Sequence, residues 1–135
     1  MRKFAILIIL FIPFFWVSCN QQKSDESDSP LAGVWELVKA EWTIRDTVYY
    51  FPDADQKMNS TKFYSQEHFF VIGNSGGVYS ISGTYTVDGD EYTEIIGLNS
   101  AGMVEGHEEK IRYSISNDTL KLCADWFREY WVRVE

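Results

Sequence analysis

Histidine and cysteine are scarce in this chain, and each scarcity closes off a class of function. His68 and His107 are the only histidines, and Cys19 and Cys123 the only cysteines, in 135 residues. So few nitrogen and sulfur ligands, so widely spaced, make no metal set. Beyond residue 30 Cys123 stands alone, so no disulfide can form within that part of the chain. Positive charge is short too: 12 Lys and Arg stand against 20 Asp and Glu, for a net charge of −8, and the basic residues are dispersed. Nucleic acid binding needs clustered Lys and Arg, so that partner is excluded. Catalytic motifs are missing as well. No Gly-x-Ser-x-Gly elbow and no phosphate loop occurs, and no motif asks for a cofactor. His107-Glu108-Glu109-Lys110-Ile111 opens like a zinc-protease helix, but Ile111 stands where the second histidine must be. No enzymatic activity is expected.

One long apolar run does exist, at the N-terminus. Arg2 and Lys3 precede Phe4 to Val17, which are 14 residues without a charge. As a helix such a run spans about 21 Å, short of the roughly 30 Å of a bilayer core. Residues 1–18 therefore read as an export signal. The run ends Trp16-Val17-Ser18-Cys19, which resembles the lipobox of bacterial lipoproteins. That resemblance implies acylation of Cys19 with chains such as palmitate, and attachment to a membrane through them. An ordinary signal peptide with a cysteine by chance is the alternative. Residues 19–30 then form a tether, polar and acidic after Cys19, with nothing to bury. Its Lys-Ser-Asp-Glu-Ser-Asp run resembles the export signal that sends lipoproteins of the Bacteroidetes to the cell surface. A periplasm-facing position on the outer membrane stays open beside surface display.

From Leu31 to Glu135 no helical period is sustained. Val, Ile, Thr, Tyr, Phe and Trp dominate, and turn residues recur at short intervals, the pattern of a β sandwich or barrel. These 105 residues suffice for one domain, 31–135. Strands are expected near 32–42, 45–51, 62–73, 77–82, 83–88, 91–98, 108–116, 119–124 and 127–134, with a polar connection over 52–60 that has room for one helical turn. Asp88-Gly89 predicts a type I′ hairpin that pairs Tyr85 with Tyr92. Asn117-Asp118 predicts another, setting Ile115 opposite Leu120, Tyr113 opposite Leu122 and Arg112 opposite Cys123. One face of that hairpin is apolar and the other polar, so its register supports itself. The last strand has two options. A three-residue loop over 125–127 turns Arg128 and Tyr130 inward, and a two-residue loop sends Glu129, Trp131 and Arg133 inward instead. The first is preferred for its apolar face.

Leu-Ala-Gly-Val-Trp-Glu-Leu-Val at 31–38, Gly-Thr-Tyr-Thr-Val-Asp-Gly-Asp-Glu-Tyr-Thr-Glu at 83–94, and the blocks at 113–122 and 130–135 resemble, in that order, the lipocalin-like domains of the calycin superfamily. The resemblance implies an all-β fold, an up-and-down antiparallel barrel of eight or nine strands. It also implies that Trp35 closes one end, with Arg133 packed across its indole. The opening strand is similar to fatty-acid-binding proteins as well, in which an inward Arg-x-Tyr on the final strand grips a carboxylate. Arg128-Glu129-Tyr130 has that spacing. The expected cup lining is Trp35, Leu37, Tyr85, Tyr92, Ile111, Tyr113, Leu122, Arg128 and Tyr130. Glu94 or a ligand carboxylate would answer an inward Arg128; otherwise Asp88, Asp90, Glu91 and Glu94 read as solvated charges at a hairpin tip. Two functions from different classes follow. One is a lipid-anchored barrel that binds a small hydrophobic or amphipathic ligand. The other is a filled barrel that meets an envelope protein or a glycan through its outer surface or loops.

Overall fold

Which side chains point into a barrel is decided strand by strand, and here the decision starts in the first strand. The computed structural model describes residues 29–52 and 58–134. The export signal, Cys19, most of the tether and the expected helical turn after Pro52 lie outside the described residues. Strand β1 (Gly33–Ile44) turns Trp35 and Leu37 inward. A bulge at Val38 then shifts its register against the last strand, so that Ala40 and Trp42 take the inward positions while Lys39 and Glu41 stay outside. Strict alternation from Leu37 would have carried Lys39 and Glu41 into the core; the one extra residue prevents it.

The chain then folds back as β2 (Thr47–Phe51) through Arg45 and Asp46, both with positive φ (49° and 64°), so these two form the turn rather than the start of a strand. The remaining strands are β3 (Ser60–Tyr64), β4 (His68–Gly73), β5 (Tyr79–Asp88), β6 (Glu91–Asn99), β7 (Glu108–Ser116), β8 (Thr119–Ala124) and β9 (Phe127–Arg133). Each pairs antiparallel with the next, and β9 pairs with β1. The fold is thus a closed eight-stranded antiparallel barrel of β1 and β3–β9, with β2 added beside the far half of β1. Two segments divide differently from the sequence expectation. The run 62–73 is two strands, because Ser65-Gln66-Glu67 breaks it into a hairpin with Tyr64 opposite Phe69. The runs 77–82 and 83–88 are one strand, β5, with a bulge between Ile81 and Gly83. Gly83 is required there, since a Cβ would collide with the Ile95 carbonyl of β6.

The hairpins follow the same logic of faces. The β7–β8 register is the expected one, with Asn117 at positive φ in the turn. The β5–β6 turn is Gly89–Asp90, not Asp88–Gly89, so Tyr85 opposes Glu94 and Val87 opposes Tyr92. Gly89 alone takes the positive φ, 62°, which spares an aspartate that conformation. A two-residue slip preserves faces, and both tyrosines remain inward. The β8–β9 turn is Asp125–Trp126, which sets Leu122 opposite Glu129 and Leu120 opposite Trp131. This overturns the expected inward Arg128 and Tyr130. The observed register buries the large faces of Phe127 and Trp131 and leaves the Arg128 guanidinium in water.

One end of the barrel is sealed by β1, β9 and the chain just before β1. The Trp35 indole is fully buried, donates to the Leu31 carbonyl at 2.8 Å, and lies under the Arg133 guanidinium, 4.1 Å from the ring centre. Arg133 in turn donates to the Ala32 carbonyl at 2.6 Å, so the cation–π contact is fixed at both ends. Leu31, Ile111, Leu120 and Leu122 fill the core around this plug. Replacing Trp35 with Ala should cost about 3–5 kcal/mol, most of the stability of a domain this size. Urea unfolding will check this; a midpoint close to wild type would remove Trp35 from its closing role.

Candidate functional site

Above the plug the interior becomes polar before it becomes empty. Alternation in β3 turns Ser60, Lys62 and Tyr64 inward, and in β6 it does the same to Tyr92, Glu94 and Ile96. Lys62 and Glu94 therefore face each other across the barrel, both buried, with Nζ 3.2 Å from Glu94 Oε1. The same oxygen accepts hydrogen bonds from the hydroxyls of Tyr64 (3.3 Å) and Tyr92 (3.1 Å), which also touch each other at 3.0 Å. The rings of Tyr64, Tyr85 and Tyr92 pack edge to face, and the Tyr85 hydroxyl donates to the Ser65 carbonyl at 2.6 Å. No buried side-chain polar atom among the described residues lacks a partner, so the network is complete.

Burial alone would strip the proton from Lys62, but the charge and hydrogen bond of Glu94, aided by Tyr64 and Glu129, outweigh it and raise the Lys62 pKa above its ordinary value. Burial raises the Tyr64 and Tyr92 phenols, and the Glu94 carboxylate pushes both further up. Burial likewise raises Tyr85. The network is one ammonium, one carboxylate and neutral phenols.

This ion pair lies in the floor of a cavity of about 490 Å³. Leu37, Trp42, Phe69, Val71, Ile96, Ile111, Phe127 and Trp131 are among its walls, and Met58, Tyr79, Met103 and Trp126 are contributed nearer the loops. Two further carboxylates line it. Glu129 accepts from the indole N–H of Trp42 on one oxygen (2.9 Å) and of Trp131 on the other (3.0 Å). Glu109 accepts from the Trp126 indole at 3.2 Å and meets His107 Nε2 at 3.2 Å.

Of the expected lining, Leu37 and Ile111 touch this cavity. Trp35, Tyr85, Tyr92 and Leu122 are buried in the packed core, and the Tyr113 ring packs on Tyr92 while its hydroxyl donates to the Gly89 carbonyl. Arg128 is on the outer surface, 3.8 Å from Glu41, and Tyr130 lies outside between Lys39 and Lys121. Glu94 is not a solvated hairpin charge, and its counter-ion is Lys62 rather than Arg128. Lys62 and Trp42 are residues that sequence reasoning did not bring to the site, and Glu129 and Trp131 come inward by the two-residue loop, the less favoured option. The alternation Ser60-x-Lys62-x-Tyr64, once ended by Ser65-Gln66-Glu67, is the signal that could have found Lys62.

A family model described as a domain of unknown function, DUF4488, matches residues 30–135. The chain belongs to the DUF4488 family. Among solved structures, this DUF4488 chain is similar to a lipocalin-like protein from Bacteroides uniformis ATCC 8492, at 19% identity and a TM-score of 0.55, over 76% of this chain and 97% of that one. It is also similar to an uncharacterized protein from Bacteroides eggerthii DSM 20697, at 14% identity and a TM-score of 0.54, over 76% and 98% of the two chains. At these identities the likeness is one of fold: a lipocalin-like barrel. No curated protein matches the chain.

The buried pair of this DUF4488 domain gives two measurable outcomes. Lys62→Met strands the Glu94 carboxylate and should cost about 3–5 kcal/mol, whereas the Lys62→Met/Glu94→Gln double variant should recover much of that loss. A double-mutant cycle in urea checks it, and additive losses would mean the pair is uncoupled. Above about pH 10 the unfolded chain releases protons from lysine and tyrosine that the fold retains on Lys62, Tyr64 and Tyr92. Stability contributed by these groups is therefore present below that pH and is lost as pH rises beyond it, which unfolding midpoints measured from neutral to alkaline pH will show.

Proposed function

We propose that this domain is an envelope lipoprotein whose barrel takes a small apolar or amphipathic molecule into its open half. The observation that carries the reading is the cavity. At about 490 Å³ it exceeds the roughly 300 Å³ at which ligand pockets begin. Its walls are mostly apolar and aromatic, with a few polar groups held in place by hydrogen bonds, which is the composition such pockets share. The lipocalin-like neighbour supports the reading by its fold alone. A second reading, contact with an envelope protein or glycan, draws on Ile44, Val48, Tyr49 and Tyr50, apolar side chains left exposed on the β1–β2 hairpin.

Val71 is buried on the cavity wall, so Val71→Trp should occupy the space with an indole. The variant should fold and lose whatever small molecule native mass spectrometry finds on the extracted wild type. Retention of that molecule by the variant would put it elsewhere. The anchor has its own test. Cys19→Ala should abolish metabolic labelling by palmitate and leave an unprocessed precursor, while wild type should fractionate with membranes. A soluble, unlabelled wild type would end the lipoprotein reading.

A further inference from the structure

We propose that the molecule this cavity takes is a cation: a protonated amine on an apolar body, with its ammonium group paired to Glu129. This rests on the binding reading above. The first ground is the charge of the walls. Among the described residues lining the cavity, Lys62 is the one cation and Glu94, Glu109 and Glu129 are the anions, a net charge of −2. The single cation is spent: Lys62 sits in the floor, 3.2 Å from Glu94, inside a satisfied network. Neither arginine of β9 reaches the space. Arg128 faces solvent beside Glu41, and Arg133 lies across Trp35 in the sealed end. A carboxylate or sulfate head would therefore meet two carboxylates and no free positive partner among these residues.

The second ground is how Glu129 is held. It makes no salt bridge among the described residues, although the Lys62 ammonium in the floor feels its charge, and both of its oxygens are fixed, one by the Trp42 indole and one by the Trp131 indole. Each oxygen keeps a further lone pair beyond the one its indole uses. Two N–H donors thus orient a carboxylate without neutralising it, inside a cavity whose low dielectric strengthens any charge partner it acquires. The surroundings suit an ammonium in a third way. Trp42, Trp131 and Phe127 share the cavity with Glu129, and aromatic faces attract cations; the Lys62 ammonium already lies over the Trp131 ring, 5.4 Å from its centre, which leaves Trp42 and Phe127 to a ligand. A carboxylate on an open surface would carry no such meaning; Glu129 is enclosed with two indoles and apolar walls, while Glu109 stands nearer to solvent beside the exposed Trp126. The net charge of −8 draws cations toward the protein from a distance.

The test uses one apolar skeleton with three heads: 4-phenylbutylamine, 4-phenylbutanol and 4-phenylbutanoate, titrated at pH 7 into the full chain in lipid nanodiscs, with empty nanodiscs as reference. The amine should bind about tenfold or more tighter than the alcohol, as a charge-assisted contact outweighs a neutral one. The carboxylate should bind weakest. Glu129→Gln should bring the amine down to the alcohol and leave the alcohol within about twofold of its wild-type affinity. The wild-type order of the three heads decides the matter even if Glu129→Gln fails to fold, and Glu109→Gln, nearer the mouth, should reduce the preference in part. An alcohol or carboxylate that binds as tightly as the amine overturns the cation proposal and leaves the binding reading standing. Absence of binding by all three overturns both.

Discussion

A lysine that points into a barrel has to be answered there, and the answer to Lys62 organises this molecule. Moving an ammonium out of water is tolerable only when an opposite charge and good hydrogen bonds replace the lost solvent. Glu94 supplies the charge, and the hydroxyls of Tyr64 and Tyr92 donate to the carboxylate oxygen that meets Lys62. That cluster needs β3 and β6, strands on opposite sides of the barrel, to be in one particular register. Below it the tyrosine rings and the Trp35 plug leave no space. Above it the cavity begins.

The two halves of the interior follow from where bulk is placed along each strand. Trp35, Tyr64, Tyr85 and Tyr92 put large rings at the sealed end. Ser60 and Val71 put small groups on the walls of the other half, between the rings of Trp42, Phe69, Phe127 and Trp131. The bulge at Val38 matters to both, because it lets β1 begin with Trp35 and Leu37 inward and still finish with Trp42 inward. Without it a charged residue would stand where the Trp42 indole now reaches Glu129. The fold itself is shared with a lipocalin-like barrel at 19% identity.

Electrostatics then separates the cavity from a fatty-acid cup. The resemblance to fatty-acid-binding proteins placed an inward arginine on the last strand. The register of β9 places Glu129 and Trp131 inward and Arg128 in water. A reversal of charge at one wall changes the class of molecule the cavity favours while leaving its size and apolar character alone.

Much of the fold was legible from local pattern. Alternating apolar residues and turn signals were enough for an all-β sandwich or barrel, the resemblance to lipocalin-like domains pointed to the barrel, and the Asn117-Asp118 hairpin came out in register because one of its faces is wholly apolar. The sealing pair of Trp35 and Arg133 was legible too, as a resemblance that the contact at 4.1 Å then gave a geometry. The site was less so. In β9 both faces carry aromatic residues, Phe127 and Trp131 on one and Tyr130 on the other, so hydrophobicity alone could not choose the loop length. Lys62 and Glu94 lie 32 residues apart, on strands that never pair. Sequence determined which residues could be inward on each strand, because alternation is a local rule. Only closure of the barrel decided which of them meet, because that depends on registers and bulges summed around the whole sheet.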